Sequence, residues 1–318
     1  MSLGVALVAT LLNEEKALAE FLDSVLSQTR SPQEIILVDG GSRDRSCEII
    51  REYIENGAPI RLFVEEGANR SEGRNRAIRE SSQPIIAVCD AGCRLEKDWL
   101  EKIIAPLERG EADVAGGYYA PDAGNLIERA VAAATVPTAA EVNPETFLPS
   151  SRSVAFRREV WEKAGGYPEW SLVSEDTLFD LAMKKAGMRF CFVPEALVHW
   201  RQQGNFAGLF RQFYRYACSD GAAGLLFGHY RKVFLMSGWL VGLVLLAMAS
   251  LRLEPEFTVV PLAVIALLAL VYAGRYVLRS RKRGWDWAAA LLSPVAMAVV
   301  DAAHLIGYLR GLLGRKKR

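Results

Sequence analysis

Short apolar runs at residues 5–9, 35–38, 62–64 and 85–88 are separated by stretches whose apolar positions recur at helical spacing, such as Ala17, Phe21, Leu22 and Val25. Near-continuous apolar runs of this length predict strands buried on both faces, and the helices between them predict parallel crossovers in βαβα order. In such a sheet, ligands gather at the carboxyl ends of the strands. Polar residues fall there: Asn13 and Glu14 after the first run, Asp39 after the second, Glu65 and Glu66 after the third, and Asp90 after the fourth. From residue 111 the pattern is mixed. It is strand-like at 114–120 and 154–156, helical at 159–164 and 177–185, and extended at 189–200. The apolar opening at 3–12 has no basic flank and runs into Asn13, Glu14 and Glu15, which predicts a buried strand and not a signal peptide.

The last third of the chain is patterned differently. Residues 233–251 and 257–274 carry no charge, and each approaches the roughly 20 residues that a bilayer crossing needs. A third apolar stretch, 287–309, is interrupted by Pro294, Asp301 and His304, and reads as either a crossing or a re-entrant segment. The linker at 275–283 holds Arg275, Arg279, Arg281, Lys282 and Arg283, which places it in the cytoplasm by the positive-inside bias. A complete third crossing would put Arg315, Lys316, Lys317 and Arg318 outside, against that bias, so a re-entrant or interfacial segment is slightly favoured. Residues 204–230 mix Phe206, Leu209, Phe210, Phe213, Tyr214 and Tyr216 with Arg211 and Arg215, as an amphipathic helix at a membrane surface does, or one packed on the soluble part.

Composition sharpens this division. The chain is 51% hydrophobic and 24% charged over 318 residues, which excludes disordered and disulfide-framework classes and suits about two domains. Its net charge of +1 conceals 11 Lys and Arg against 4 Asp and Glu in 233–318, and 27 against 33 before it. An acidic body argues against nucleic acid as a partner, and a basic apolar tail argues for membrane lipid. Cys47, Cys89, Cys93, Cys191 and Cys218 are odd in number and lack a CxxC pair, as reduced thiols in a cytoplasmic compartment would be.

Several motifs follow one another in order: LLNEE at 11–15, VDGGSRD at 38–44, GRNRAI at 73–78, CDAGCRLEKDWL at 89–100, SEDTLFDL at 174–181, HW at 199–200 and RQFYRY at 211–216. The set resembles glycosyltransferase family 2, whose inverting enzymes of GT-A fold use nucleotide-diphosphate sugars. The resemblance implies a Rossmann-like, mostly parallel α/β catalytic domain over 1–203, and the amphipathic and apolar stretches add interfacial helices over 204–232 and a membrane domain over 233–318. It implies that Thr10, Asn13, Glu14, Asp39, Arg74, Asn75 and Asp90 line the nucleotide-sugar site, with a UDP-sugar foremost. It also implies that Asp176 is the catalytic base and Glu175 its acceptor-binding neighbour. Gln212, Arg215 and Tyr216 match a QxxRW-like motif with Tyr for Trp and are expected on the acceptor side.

The family's Asp-x-Asp reads Asp90-Ala91-Gly92, so one carboxylate is missing. His199 stands where related enzymes place a metal-binding histidine. Asp90 and His199 are therefore expected to share Mn2+ or Mg2+ with the diphosphate, imidazole favouring manganese. A base acting on a hydroxyl implies a lipid-linked saccharide or glycolipid as acceptor, at the cytoplasmic face of an integral membrane protein. A processive polysaccharide synthase, a polyprenyl-phosphate glycosyltransferase and a silent sugar-nucleotide-binding membrane scaffold stay open at this point.

Overall fold

The computed structural model describes residues 3–171, 173–225, 227–253 and 258–314. The chain divides into two units: residues 3–122 with 137–201, and residues 123–136 with 202–314. This differs from the contiguous division expected at 203, because the short segment 123–136 leaves the first unit and joins the second.

The first unit is built on one sheet. Its strands are β1 (Val5–Leu11), β2 (Glu34–Asp39), β3 (Ile60–Val64), β4 (Ile85–Val88), β5 (Cys93–Leu95), β6 (Val114–Asp122), β7 (Val154–Arg157) and β8 (Phe190–Arg201). They lie in the order β3-β2-β1-β4-β7-β6-β8-β5. The first four pair in parallel, β7 runs antiparallel to both β4 and β6, β6 and β8 are parallel, and β5 is antiparallel to β8. The mostly parallel, Rossmann-like sheet is the one the apolar runs predict. Helices α1 (Leu18–Leu26), α2 (Ser46–Glu55) and α3 (Arg70–Glu80) make the first crossovers, followed by α4 (Trp99–Glu108).

Strand alternation sends β1 side chains to both faces. Val5, Leu7, Ala9 and Leu11 pack with Phe21, Leu22 and Val25 of α1 and Trp99 of α4, while Ala6 and Val8 pack with Ala77 and Ile78 of α3. A β-carbon on Gly73 would stand 2.6 Å from Thr10 Cγ2, so only glycine allows α3 to lie this close to β1. Asn69 begins α3 with a full capping box, its side chain accepting from Ser71 N and Glu72 N while Glu72 caps in return.

The second unit is helical: α5 (Leu126–Thr135), α8 (Phe206–Ala223), α9 (Phe227–Leu253), α10 (Val259–Lys282) and α11 (Trp287–Leu313), numbered past α6 (Arg158–Ala164) and α7 (Glu175–Lys185) of the first unit. α9, α10 and α11 are each long and apolar enough to cross a membrane, since 24 residues already reach about 36 Å at 1.5 Å per residue. The third apolar stretch is one unbroken helix, with Pro294 inside it. Trp239, Leu245, Leu267 and Leu270 face outward on α9 and α10, as lipid-facing residues do. The terminal Arg315, Lys316, Lys317 and Arg318 and most of the connection 252–256 lie outside the described residues.

α11 is half covered, by α5 and α8. Val131 and Ala134 of α5, Leu209 of α8 and Ala296 and Val300 of α11 form one buried cluster, with Phe206 and Phe213 packed against it. Backbone approaches side-chain-free backbone farther along: β-carbons on Gly307 and Gly311 would stand 2.6 Å from Tyr214 O and 2.2 Å from Cys218 O. Small residues at such a seam are how apolar helices associate closely. The amphipathic face of α8 is thus turned in part onto α11. Inside the apolar helices the Tyr272 hydroxyl donates to Asp301 Oδ2 at 2.7 Å, as polar groups at such depth pair with one another.

Candidate active site

The loops after β1 and β2 are stitched together by short polar side chains. Asn13, in the left-handed region that Asn tolerates at φ 57°, donates its N–H to Ser42 Oγ at 2.8 Å and accepts from Arg43 N at 2.9 Å. Glu14 N–H donates to Ser46 Oγ at 2.9 Å. The buried Asp39 turns its carboxylate onto its own loop, accepting from Gly41 N at 2.8 Å, Ser42 N at 2.7 Å and Ser42 Oγ. Thr10 lies at the end of β1, its methyl against α3 at Gly73.

Arg74 is the hub of the site. Only 1% exposed and set over the Tyr167 ring, its Nη1 donates to Glu175 Oε1 at 2.9 Å and Asp176 Oδ1 at 3.1 Å, and its Nη2 donates to Asp90 Oδ1 at 2.9 Å. One guanidinium therefore gathers three carboxylates from two separate motifs, and its fork geometry suits that task better than an ammonium. Asp176 also accepts from Ser151 N at 3.0 Å and Ser151 Oγ at 2.8 Å, and Ser151 Oγ is 3.0 Å from Tyr167 Oη. Glu175 is buried, and that burial, together with Asp176 beside it, raises its pKa. Burial pushes the Asp90 carboxyl up, but Arg74 and Arg152 outweigh it and hold Asp90 below the usual carboxylate range.

Asn75 has another place than the nucleotide role expected of it. Its Nδ2 donates to Tyr167 O at 2.8 Å and Glu169 Oε1 at 2.9 Å, and its Oδ1 accepts from Trp161 Nε1 and Tyr167 N, both at 2.9 Å. It pins the 161–169 segment to α3. Beside it opens a cavity of about 620 Å³ lined by Trp161, Tyr167, Glu169 and Trp170.

The structure does not bring His199 to Asp90. His199 Nε2 meets Glu96 Oε1 at 2.6 Å, and the next residue, Trp200, stacks under Arg152 with 4.0 Å from guanidinium carbon to ring centroid. Neighbours on a strand face opposite sides of the sheet, so with Trp200 toward Asp90 and Arg152, His199 must point away. A β-carbon on Gly92 would stand 3.3 Å from Glu14 Oε2, so Glu14 faces the position of the missing carboxylate. Burial, and then Asp90, raise the pKa of Glu14. Among the described residues no group of three or more His, Cys, Asp or Glu could hold a metal ion.

Gln212, Arg215 and Tyr216 lie on α8 in the second unit, where Gln212 Nε2 donates to Tyr216 Oη at 3.0 Å. Ser151 and Arg152 escape a sequence reading. The pairing of Val88 with Val154 in antiparallel β4 and β7 carries the polar run Ser150-Ser151-Arg152-Ser153 to the Asp90 end of β4. That orientation was the signal required.

Residues 7–164 match Glycosyl transferase family 2. The chain is 27% identical over 212 residues to the uncharacterized glycosyltransferase EpsJ of Bacillus subtilis, covering 63% of this chain and 62% of EpsJ, so it spans about three fifths of that relative. Among solved structures it is similar to the mannosyltransferase PcManGT of Pyrobaculum calidifontis in complex with GDP-Man and Mn2+, with a TM-score of 0.61 at 18% identity over 96% of this chain and 88% of the other. It is also similar to S. aureus TarS 1–349 in complex with UDP, with a TM-score of 0.51 at 16% identity over 99% and 93%. Both share the GT-A fold. In this chain Asp90 faces two arginines, Gly92 brings no carboxylate, and His199 is held by Glu96.

Proposed function

The chain belongs to glycosyl transferase family 2, and from that premise we propose that it transfers one sugar, with inversion, from a nucleotide-diphosphate sugar to a hydroxyl of a lipid-linked saccharide or glycolipid at the cytoplasmic face of a membrane. The observation that carries this reading is Asp176. It is a carboxylate fixed by Arg74 and by both the N–H and hydroxyl of Ser151, in the same cluster as Asp90. A base so placed takes the proton of the acceptor hydroxyl as its oxygen bonds to the anomeric carbon, while the bond to the diphosphate breaks and the nucleoside diphosphate leaves. Geometry fixed before the reaction lowers its barrier, because no reorientation remains to be done.

The nucleotide is bound at the stitched loops after β1 and β2, with Asp39 ordering Gly41 and Ser42 and Asn13 ordering Arg43. GDP-Man and UDP in the two solved neighbours support a nucleotide donor. Three helices long and apolar enough to span a bilayer support an acceptor that resides in the membrane. The test is incubation of the purified chain in native lipid extract with labelled UDP- and GDP-sugars, followed by mass analysis. A lipid product one sugar heavier establishes donor and acceptor together. A polymeric product, or hydrolysis alone at every donor, rejects the proposal.

A further inference from the structure

A departing diphosphate needs positive charge at the carboxyl end of the sheet, and the residues that would bring it as a metal ion are not assembled. Arg74 is committed to three carboxylates. Arg152 is arranged differently. Its guanidinium lies on the Trp200 ring at 4.0 Å and near the Tyr119 ring at 5.5 Å, and its Nη1 donates to Ser150 Oγ at 2.9 Å. Its Nε is 3.9 Å from Asp90 Oδ2, the outer limit of an ion pair, and its side chain is 18% exposed. The aromatic rings fix the plane of the cation, so little freedom is lost when an anion arrives. A guanidinium held in this way presents paired N–H groups that match phosphate oxygens. Asp90, which in an Asp-x-Asp site would face a metal, faces this arginine.

We propose that Arg152 binds the donor's diphosphate and balances its charge as the glycosidic bond breaks, so that this chain takes its donor without a divalent cation. The inference rests on the nucleotide-sugar reading above and assigns the counter-charge within it. Asp90 then serves to orient Arg152 and Arg74. Glu14 fills the space beside Gly92 where a second ligand would otherwise reach.

Calorimetric titration of the full chain in detergent tests this, with UDP and GDP as probes and uridine and guanosine as competitors, in chelator and in Mn2+. The preferred diphosphate should bind equally well in both conditions. Arg152→Gln should weaken that diphosphate tenfold or more and leave the nucleoside unchanged, and Arg152→Lys should recover part of the loss. Unchanged nucleoside affinity shows that the variant is folded. Diphosphate binding that vanishes in chelator and returns with Mn2+ overturns the inference while leaving the donor reading intact, as does an Arg152→Gln chain that binds diphosphate like the parent. Absence of any diphosphate binding in either condition overturns both.

Discussion

At the scale of single residues, the site depends on buried charges that are paired. Asp176 accepts from Arg74, Ser150 and Ser151, all of which lie outside the stitched loops after β1 and β2. Asp176→Asn should therefore cut transfer by about 10²–10⁴-fold, the usual worth of a positioned base, with donor affinity nearly unchanged. Turnover beside titration calorimetry reads the two separately, and a collapse of donor affinity would reassign Asp176 to the nucleotide. One turn along α7, Asp180 is buried, and its Oδ2 has no hydrogen-bond partner. Burial raises its pKa well above the ordinary value, with Asp176 adding to this and Lys184 opposing it. The folded chain thus holds a proton that the unfolded chain releases near pH 4. This contribution to stability is complete below that pH and is lost as pH rises through the folded pKa. Asp180→Asn cannot lose that proton, so its stability, read from melting curves, should match the parent at pH 4 and exceed it increasingly toward pH 8, by roughly 1–3 kcal/mol, the usual cost of a buried unpaired acceptor. Parallel melting curves across that range would refute the assignment.

At the scale of elements, Asn75 shows how a motif residue can act through architecture. Removing its amide leaves the buried Tyr167 N–H and the Trp161 Nε1–H without their acceptor. Asn75→Ala should cost about 2–3 kcal/mol of stability, read from melting or denaturant curves, while diphosphate affinity stays within a few-fold of the parent. A large affinity loss in a chain of unchanged stability would instead return Asn75 to the nucleotide. The elements themselves were legible to unequal degrees. The four parallel strands show in their apolar runs because both faces are buried, and α7 shows in its acidic first turn, which the helix dipole favours. His199 was misplaced because spacing cannot tell which face a strand residue takes. Its direction depends on the register of β8 with β6, which shifts between Gly117 and Tyr118. Arg152 was hidden because a lone arginine ahead of a strand acquires meaning only when that strand is known to run antiparallel to β4.

At the scale of the whole molecule, apolar length identified the membrane helices, since a bilayer imposes a minimum span that sequence displays directly. The membership of α5 was not displayed. Ile127, Val131 and Ala134 give it the face of an ordinary crossover helix, and periodicity states that a face is buried without stating what buries it. In the structure that face meets Leu209, Ala296 and Val300, while Arg129 pairs with Asp286 at 3.1 Å and Arg283 donates to Ala133 O at 3.0 Å. The excursion has a practical meaning for anyone preparing the enzyme. The backbone passes from one unit to the other three times, near residues 122, 136 and 201, so the boundary is not a single point at which the chain can be cut. A fragment ending at residue 203 would keep α5 but remove every partner of its apolar side, and should aggregate or require detergent although no membrane helix is left in it. Replacing residues 123–136 by a short polar linker in the same fragment should give a monomer by light scattering that still binds nucleoside diphosphate. A fragment that is monomeric with α5 retained would show that the helix finds another resting place once the apolar helices are gone.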